Sequence, residues 1–214
     1  KTYEVYIKKH KTMFGDKRLE DFDFESIYHI YSHVSGKELI FRESKNYTFF
    51  LDKIKFYICP IADIFAYCLM PNHFHLLIAF KKKEIIFENL NISITEFDDK
   101  KSHQFLMKPF SNLLNSYAKA YNKVYTRKGA LFMDYIKRTK IEDEKYLLNV
   151  LNYIHNNPVN HGFVNQLEEW KYCSYLSYLD IKKSSSLERS FIMSFFDGTS
   201  DFIEFHKKGS DLLL

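Results

Sequence analysis

The chain of 214 residues is 46% hydrophobic and 27% charged, enough for one sizeable core and short of a clear case for two. A net charge of +4 permits a nucleic-acid partner without demanding one, and no apolar run reaches the ~18 residues needed to span a bilayer, so no membrane partner is expected. Three cysteines with no CxxC pair exclude a disulfide framework and a cysteine zinc site; with no signal-peptide pattern, they read as reduced thiols of a cytoplasmic protein.

Residues 1–25 are charged and aromatic and are expected as a peripheral extension. Residues 26–34 (SIYHIYSHV) alternate and are rich in Tyr and Ile, which suits a strand ending at Ser35-Gly36. Ser44 is placed as an N-cap, with Tyr47, Phe50, Leu51 and Ile54 at helical spacing up to Pro60. Residues 64–69 and 73–80 read as two strands of an antiparallel hairpin turning at Met70-Pro71-Asn72. The polar stretch 81–101 is expected as a loop or lid, and 103–125 as a long helix broken by Gly129. Residues 130–141 resemble a strand. Glu142-Asp143-Glu144 then places acids where a helix macrodipole favours them, and Pro158 is expected to stop that helix after about residue 156. From residue 181 onward a linker and a short amphipathic segment make a tail. This order predicts an α+β sandwich over residues 26–180, a mostly antiparallel sheet with helices on one face.

Two features carry chemistry. In MPNHFHLLI, His73 and His75 are two apart on a strand and so project from one face, with Phe74 on the other. A lone histidine in an apolar run is more often a satisfied core residue; a pair behind a Pro-Asn turn can offer two imidazoles to one metal ion or one phosphate. In YLLNVLNYIHNN, Tyr146, Leu147, Val150, Leu151 and Ile154 form one apolar stripe, with Tyr153 and Asn157 stacked four apart at its edge. Taken alone, Tyr153 reads as a core-edge tyrosine and Asn157 as a helix C-cap before proline. Packed against the sheet, the same pair could meet the histidines, giving a metal held by two imidazoles and an amide oxygen beside a phenol.

MPNHFHLL resembles the HUH motif of the single-tyrosine (IS200-like) transposases. YIHNNPVNHGFV followed by EEWKYCSY, and GALFMDYIKRTKIEDEKYLL before them, resemble the REP-associated tyrosine transposase group, over about residues 28–178. The resemblance implies a ferredoxin-like fold, His73 and His75 as metal ligands, Tyr153 as nucleophile and Asn157 as the polar residue completing the metal site. It implies cleavage and rejoining of single-stranded DNA through a 5′-phosphotyrosine, often beside a hairpin, by a homodimer. The chain departs from the group at Met133-Asp134-Tyr135, where a basic residue is usual, and residues 1–25 and the tail have no counterpart there.

Two imidazoles and an amide oxygen leave positions for phosphate and water, and this N/O set suits Mg²⁺ or Mn²⁺ rather than a structural zinc. Basic candidates for single-stranded or hairpin DNA are Arg127, Lys128, Lys137, Arg138 and Lys140, with Lys119 and Lys123 behind them; each alone reads equally as part of a solvated face. Tyr117 and Tyr121 are rival nucleophiles, although their spacing with Leu113 and Leu114 looks like core. Two other readings stand beside the transposase: a catalytically idle or domesticated hairpin-binding protein, and a His-metal hydrolase that uses water.

Overall fold

A computed structural model describes residues 20–34, 38–93, 97–132 and 136–208. The expected strand end at Ser35-Gly36, the Met133-Asp134-Tyr135 segment and most of the expected N-terminal extension lie outside these residues. The alternating segment forms β1 (Ile27–His33), followed by α1 (Ser44–Tyr57). The hairpin is β2 (Ala62–Met70) and β3 (His73–Phe80), the latter with the bounds its sequence implies. Then come α2 (Lys83–Leu90), α3 (Ser102–Val124), β4 (Lys137–Ile141) and α4 (Glu144–Asn160). Three short helices close the described chain: α5 (Tyr175–Leu179), α6 (Arg189–Met193) and α7 (Thr199–Lys207).

The four strands make one antiparallel sheet in the order β2-β3-β1-β4. Up to β4 this is the split β-α-β arrangement of a ferredoxin-like α+β fold, each crossover skipping one strand. Register brings His73 opposite His33 and His75 opposite Tyr31 on the two central strands.

The sheet is covered on both faces, where helices on one face were expected. Phe74, Leu76, Ile78 and Phe80 of β3 join the core built with Phe50 of α1 and Phe110, Leu113 and Tyr117 of α3. Leu77, alternating with them, joins a second core with Leu147, Val150, Leu151, Tyr153 and Ile154 of α4 and Phe65, Ala66, Cys68 and Met70 of β2. The cause is legible in β3, whose burial is nearly continuous along the strand, as a sheet with two covered faces demands.

Local departures have local causes. The N-cap of α1 is Glu43 rather than Ser44, because Asn46 Oδ1 accepts from the N–H groups of Arg42 (2.9 Å) and Glu43 (3.2 Å). The expected lid contains α2, since Ile86 and Phe87 are apolar enough to enter the core, and Asn91 ends it in the left-handed region at φ 53°. Within the expected strand 130–141, β4 is described from Lys137 to Ile141, and Phe132 makes an isolated bridge to Val34. Pro158 does not stop α4, because it lies in the last turn, where a missing N–H forfeits a single bond. The helix ends at His161, with Gly162 at φ 68° just beyond.

The described part of each flank packs onto the cores. Phe22 is fully buried against Tyr28, Phe80 and Phe110. In the expected tail, Ile192 and Phe202 are fully buried in the second core, because α6 and α7 lay their apolar faces on it.

Candidate active site

The tyrosine helix is positioned before it is functional. Asp143 caps α4 by accepting from the Tyr146 N–H (2.7 Å), and the apolar stripe then seats the helix on β2 and β3. A buried polar chain holds it from the outer side. The Phe202 carbonyl can only accept, so the contact at 2.8 Å puts the proton of His206 on Nδ1. His206 Nε2 therefore accepts from His155 Nδ1–H (2.8 Å), and His155 Nε2 accepts from the Ser174 hydroxyl (2.8 Å). Asn152 Nδ2 adds a bond to the Phe205 carbonyl at 3.1 Å. Burial pushes His155 well below its ordinary value and His206 down to about 4, so both imidazoles are neutral.

The seating brings the four expected residues together. Asn157 Oδ1 lies 3.0 Å from His73 Nε2, and its Nδ2 lies 3.4 Å from His75 Nε2. One helical turn back, the Tyr153 ring meets the His75 ring edge to face with centroids 5.3 Å apart. Asn157 is thus an interior residue of the last helical turn, not the C-cap that the following proline suggested. All four side chains are buried, at 1 to 3% exposure.

Further imidazoles surround the pair. His29 Nε2 lies 3.0 Å from His75 Nδ1, His33 stacks on His73 at 5.0 Å, and His161 meets His73 edge to face at 5.4 Å. Sequence reasoning did not single out His29, His33 or His161. The usable signal was the alternation in residues 26–34, which puts His29, Tyr31 and His33 on one strand face.

Whether these residues fit a divalent cation can be tested on their protons. His73 Nδ1 lies 2.8 Å from Asn72 Oδ1 while its Nε2 faces Asn157 Oδ1. A neutral imidazole has one N–H and can serve only one of these oxygens. With the proton toward Asn72, His73 Nε2 keeps its lone pair, so it and the Asn157 oxygen are two donors that fit a shared cation. The spacing also suits one, since cis donors each ~2.1 Å from an ion lie about 3.0 Å apart. Among the described residues no group of three or more His, Cys, Asp or Glu is set to hold a metal; in the expected set the third donor is an amide oxygen.

The expected DNA contacts divide. Arg127 is spent on a loop, pairing with Glu38 (2.7 Å) and donating to the Ala130 carbonyl (2.8 Å). Arg138 is buried, donating to the carbonyls of Glu20 and Ile136, with its guanidinium 5.2 Å over the Phe22 ring. Lys140 pairs with Asp23 at 2.8 Å, Lys137 is half-buried and Lys128 is exposed. Tyr117 and Tyr121 are core, their hydroxyls donating to the carbonyls of Ile40 and Leu39 on the helix layer opposite α4.

No family model matches the chain. It is 29% identical over 119 residues to a Haemophilus influenzae protein whose name assigns it to the REP-associated tyrosine transposases. That match covers 55% of this chain and 60% of the relative, so the similarity spans about three-fifths of the relative's length. Among solved structures, the fold matches a REP-associated tyrosine transposase bound to a REP hairpin, with TM-score 0.55 and 16% identity over 82% of this chain and 98% of that one. Both comparisons return the group that the motifs of this chain resemble. No helix among the described residues is long and apolar enough to cross a membrane.

Proposed function

We propose that this chain is a DNA strand transferase of the REP-associated tyrosine transposase kind, which cleaves single-stranded DNA beside a hairpin and rejoins it through a 5′-phosphotyrosine on Tyr153. The observation that carries this reading is the meeting of His73, His75 and Asn157 one helical turn from Tyr153. The hairpin comes from the likeness to the solved hairpin complex.

In this reading His73, His75 and Asn157 hold Mg²⁺ or Mn²⁺, which when bound acts as a Lewis acid on the scissile phosphate. The Tyr153 hydroxyl loses its proton as its oxygen bonds to phosphorus. The bond from phosphorus to the 3′ oxygen breaks, and that oxygen leaves as a 3′-hydroxyl after gaining a proton. Attack by another 3′-hydroxyl on the phosphotyrosine restores a phosphodiester and frees the phenol, so rejoining needs no ATP. In the DNA-free chain Tyr153 lies behind a buried wall. Because the site is closed, the DNA strand has to displace part of that wall to reach it. Of the expected basic residues, the exposed Lys128 and the half-buried Lys137 are assigned to the DNA backbone in this reading. The homodimer implied by the resemblance is part of the proposal and is checked by sedimentation of the active species.

The test is incubation with labelled single-stranded hairpin oligonucleotides drawn from the DNA flanking the gene, with Mg²⁺ or Mn²⁺, and denaturing electrophoresis. A covalent protein–DNA band that Tyr153→Phe loses, with DNA binding retained, is the expected result. Tight binding without an adduct for any flanking sequence would favour the idle hairpin binder. Free cleavage products without an adduct would favour a hydrolase.

A further inference from the structure

His29 is outside the donor set, yet it is fully buried and its Nε2 lies 3.0 Å from Nδ1 of His75. The geometry points to His29 as a positioning residue: by accepting the Nδ1–H of His75 it holds that imidazole in the tautomer that offers Nε2 to a divalent cation. The inference rests on the metal reading proposed above and deepens it.

The tautomer follows from the neighbours. His75 Nε2 faces the Asn157 amide at 3.4 Å, and a cation held there takes a nitrogen lone pair. His75 Nε2 is therefore a lone pair, and the ring proton sits on Nδ1, facing His29. His29 Nε2 is then the acceptor. Asn72 stands in the same relation to His73, at 2.8 Å from its Nδ1. Each ligand histidine thus has a polar group behind the nitrogen that does not face the site, which is how proteins orient imidazole ligands and raise their basicity.

The placement is set by the sheet. His29 lies opposite Leu77 in the β1–β3 register, so His75 is its diagonal neighbour on the same face, within reach of an aromatic ring. Ring contacts limit its rotation: it stacks on His75 (5.2 Å, 23°) and Tyr31 (5.1 Å, 29°) and meets Tyr153 edge to face (6.0 Å, 74°). A histidine is a costly way to fill such a position if only volume is needed, because its nitrogens lose water on burial.

The experiment compares the full chain with His29→Leu, which fills space without an acceptor, and His29→Gln, which supplies an acceptor oxygen. Mn²⁺ binding is followed by titration calorimetry and electron paramagnetic resonance, and metal-free thermal melts are recorded alongside. His29→Leu should bind Mn²⁺ about 10- to 100-fold more weakly, and His29→Gln should recover most of the loss. His29→Leu should melt somewhat below the parent, because the buried His75 Nδ1–H loses its acceptor, while His29→Gln should stay near the parent. Parent-like Mn²⁺ affinity in His29→Leu, or equal weakening in both variants, would overturn the role of His29 while leaving the metal reading intact. No Mn²⁺ binding by the parent chain would remove the metal reading and this inference with it. A measurement independent of mutant folding is the ¹⁵N ring spectrum of the metal-free parent. His75 should show a protonated Nδ1 and a bare Nε2, and the opposite tautomer would overturn the proposal.

Discussion

Asn157 and His73, separated by 84 positions in the chain, meet with Oδ1 3.0 Å from Nε2 across the interface of α4 and β3. If that contact is one edge of a cation site, the charge at position 157 sets affinity. Asn157→Ala should weaken Mn²⁺ binding at least about 10-fold, and Asn157→Asp should strengthen it, since carboxylates suit Mg²⁺ and Mn²⁺ better than amides do. Calorimetric titration of the three proteins checks the order. Equal affinities would remove Asn157 from the ligand set.

Arg138 and Lys128 separate a basic residue that holds the fold from one offered to DNA. Arg138→Ala strips donors from the carbonyls of Glu20 and Ile136 and empties the space over Phe22. A loss on the order of 2 kcal/mol in urea unfolding is expected, with the salt dependence of hairpin binding unchanged. Lys128→Ala should leave stability alone and lower the slope of log affinity against log salt by about 0.9. An unchanged slope would show that Lys128 makes no phosphate contact.

The chain from Ser174 through His155 to His206 makes stability depend on pH. Both histidines are buried neutral, with folded values below the ordinary one, so the unfolded chain binds more protons in acid. Stability is complete above about 6.5 and is lost as pH falls from there toward about 4, the value for His206. For His206 the full drop is on the order of 3 kcal/mol, because each tenfold change in proton affinity is worth about 1.4 kcal/mol. Unfolding midpoints measured between those limits should fall, and His206→Gln should flatten the curve. A flat parent curve would contradict the assignment.

The strands were legible because their signals are local. Alternation marks β1, and an apolar run behind Pro71-Asn72 marks β3 and the shared face of His73 and His75. Helical spacing likewise put Tyr153 and Asn157 on one edge of α4, since a side chain's direction follows from position in a regular element. That these two pairs share a site was reached through the family resemblance, not from spacing, which left Tyr153 and Asn157 open to ordinary core and capping roles.

What tertiary structure alone decided concerns partners distant in sequence. A basic residue reads the same whether its charge faces solvent or a buried carbonyl, so Arg138 and Arg127 could not be told from Lys128. An amphipathic tail reads the same whether it is loose or seated, and only packing against α4 made Phe202 and His206 part of the core. His29 belongs to the same class. Its alternation gave it a face, but which ring nitrogen meets His75 depends on the register of β1 against β3, a pairing between segments 46 residues apart that no local pattern encodes.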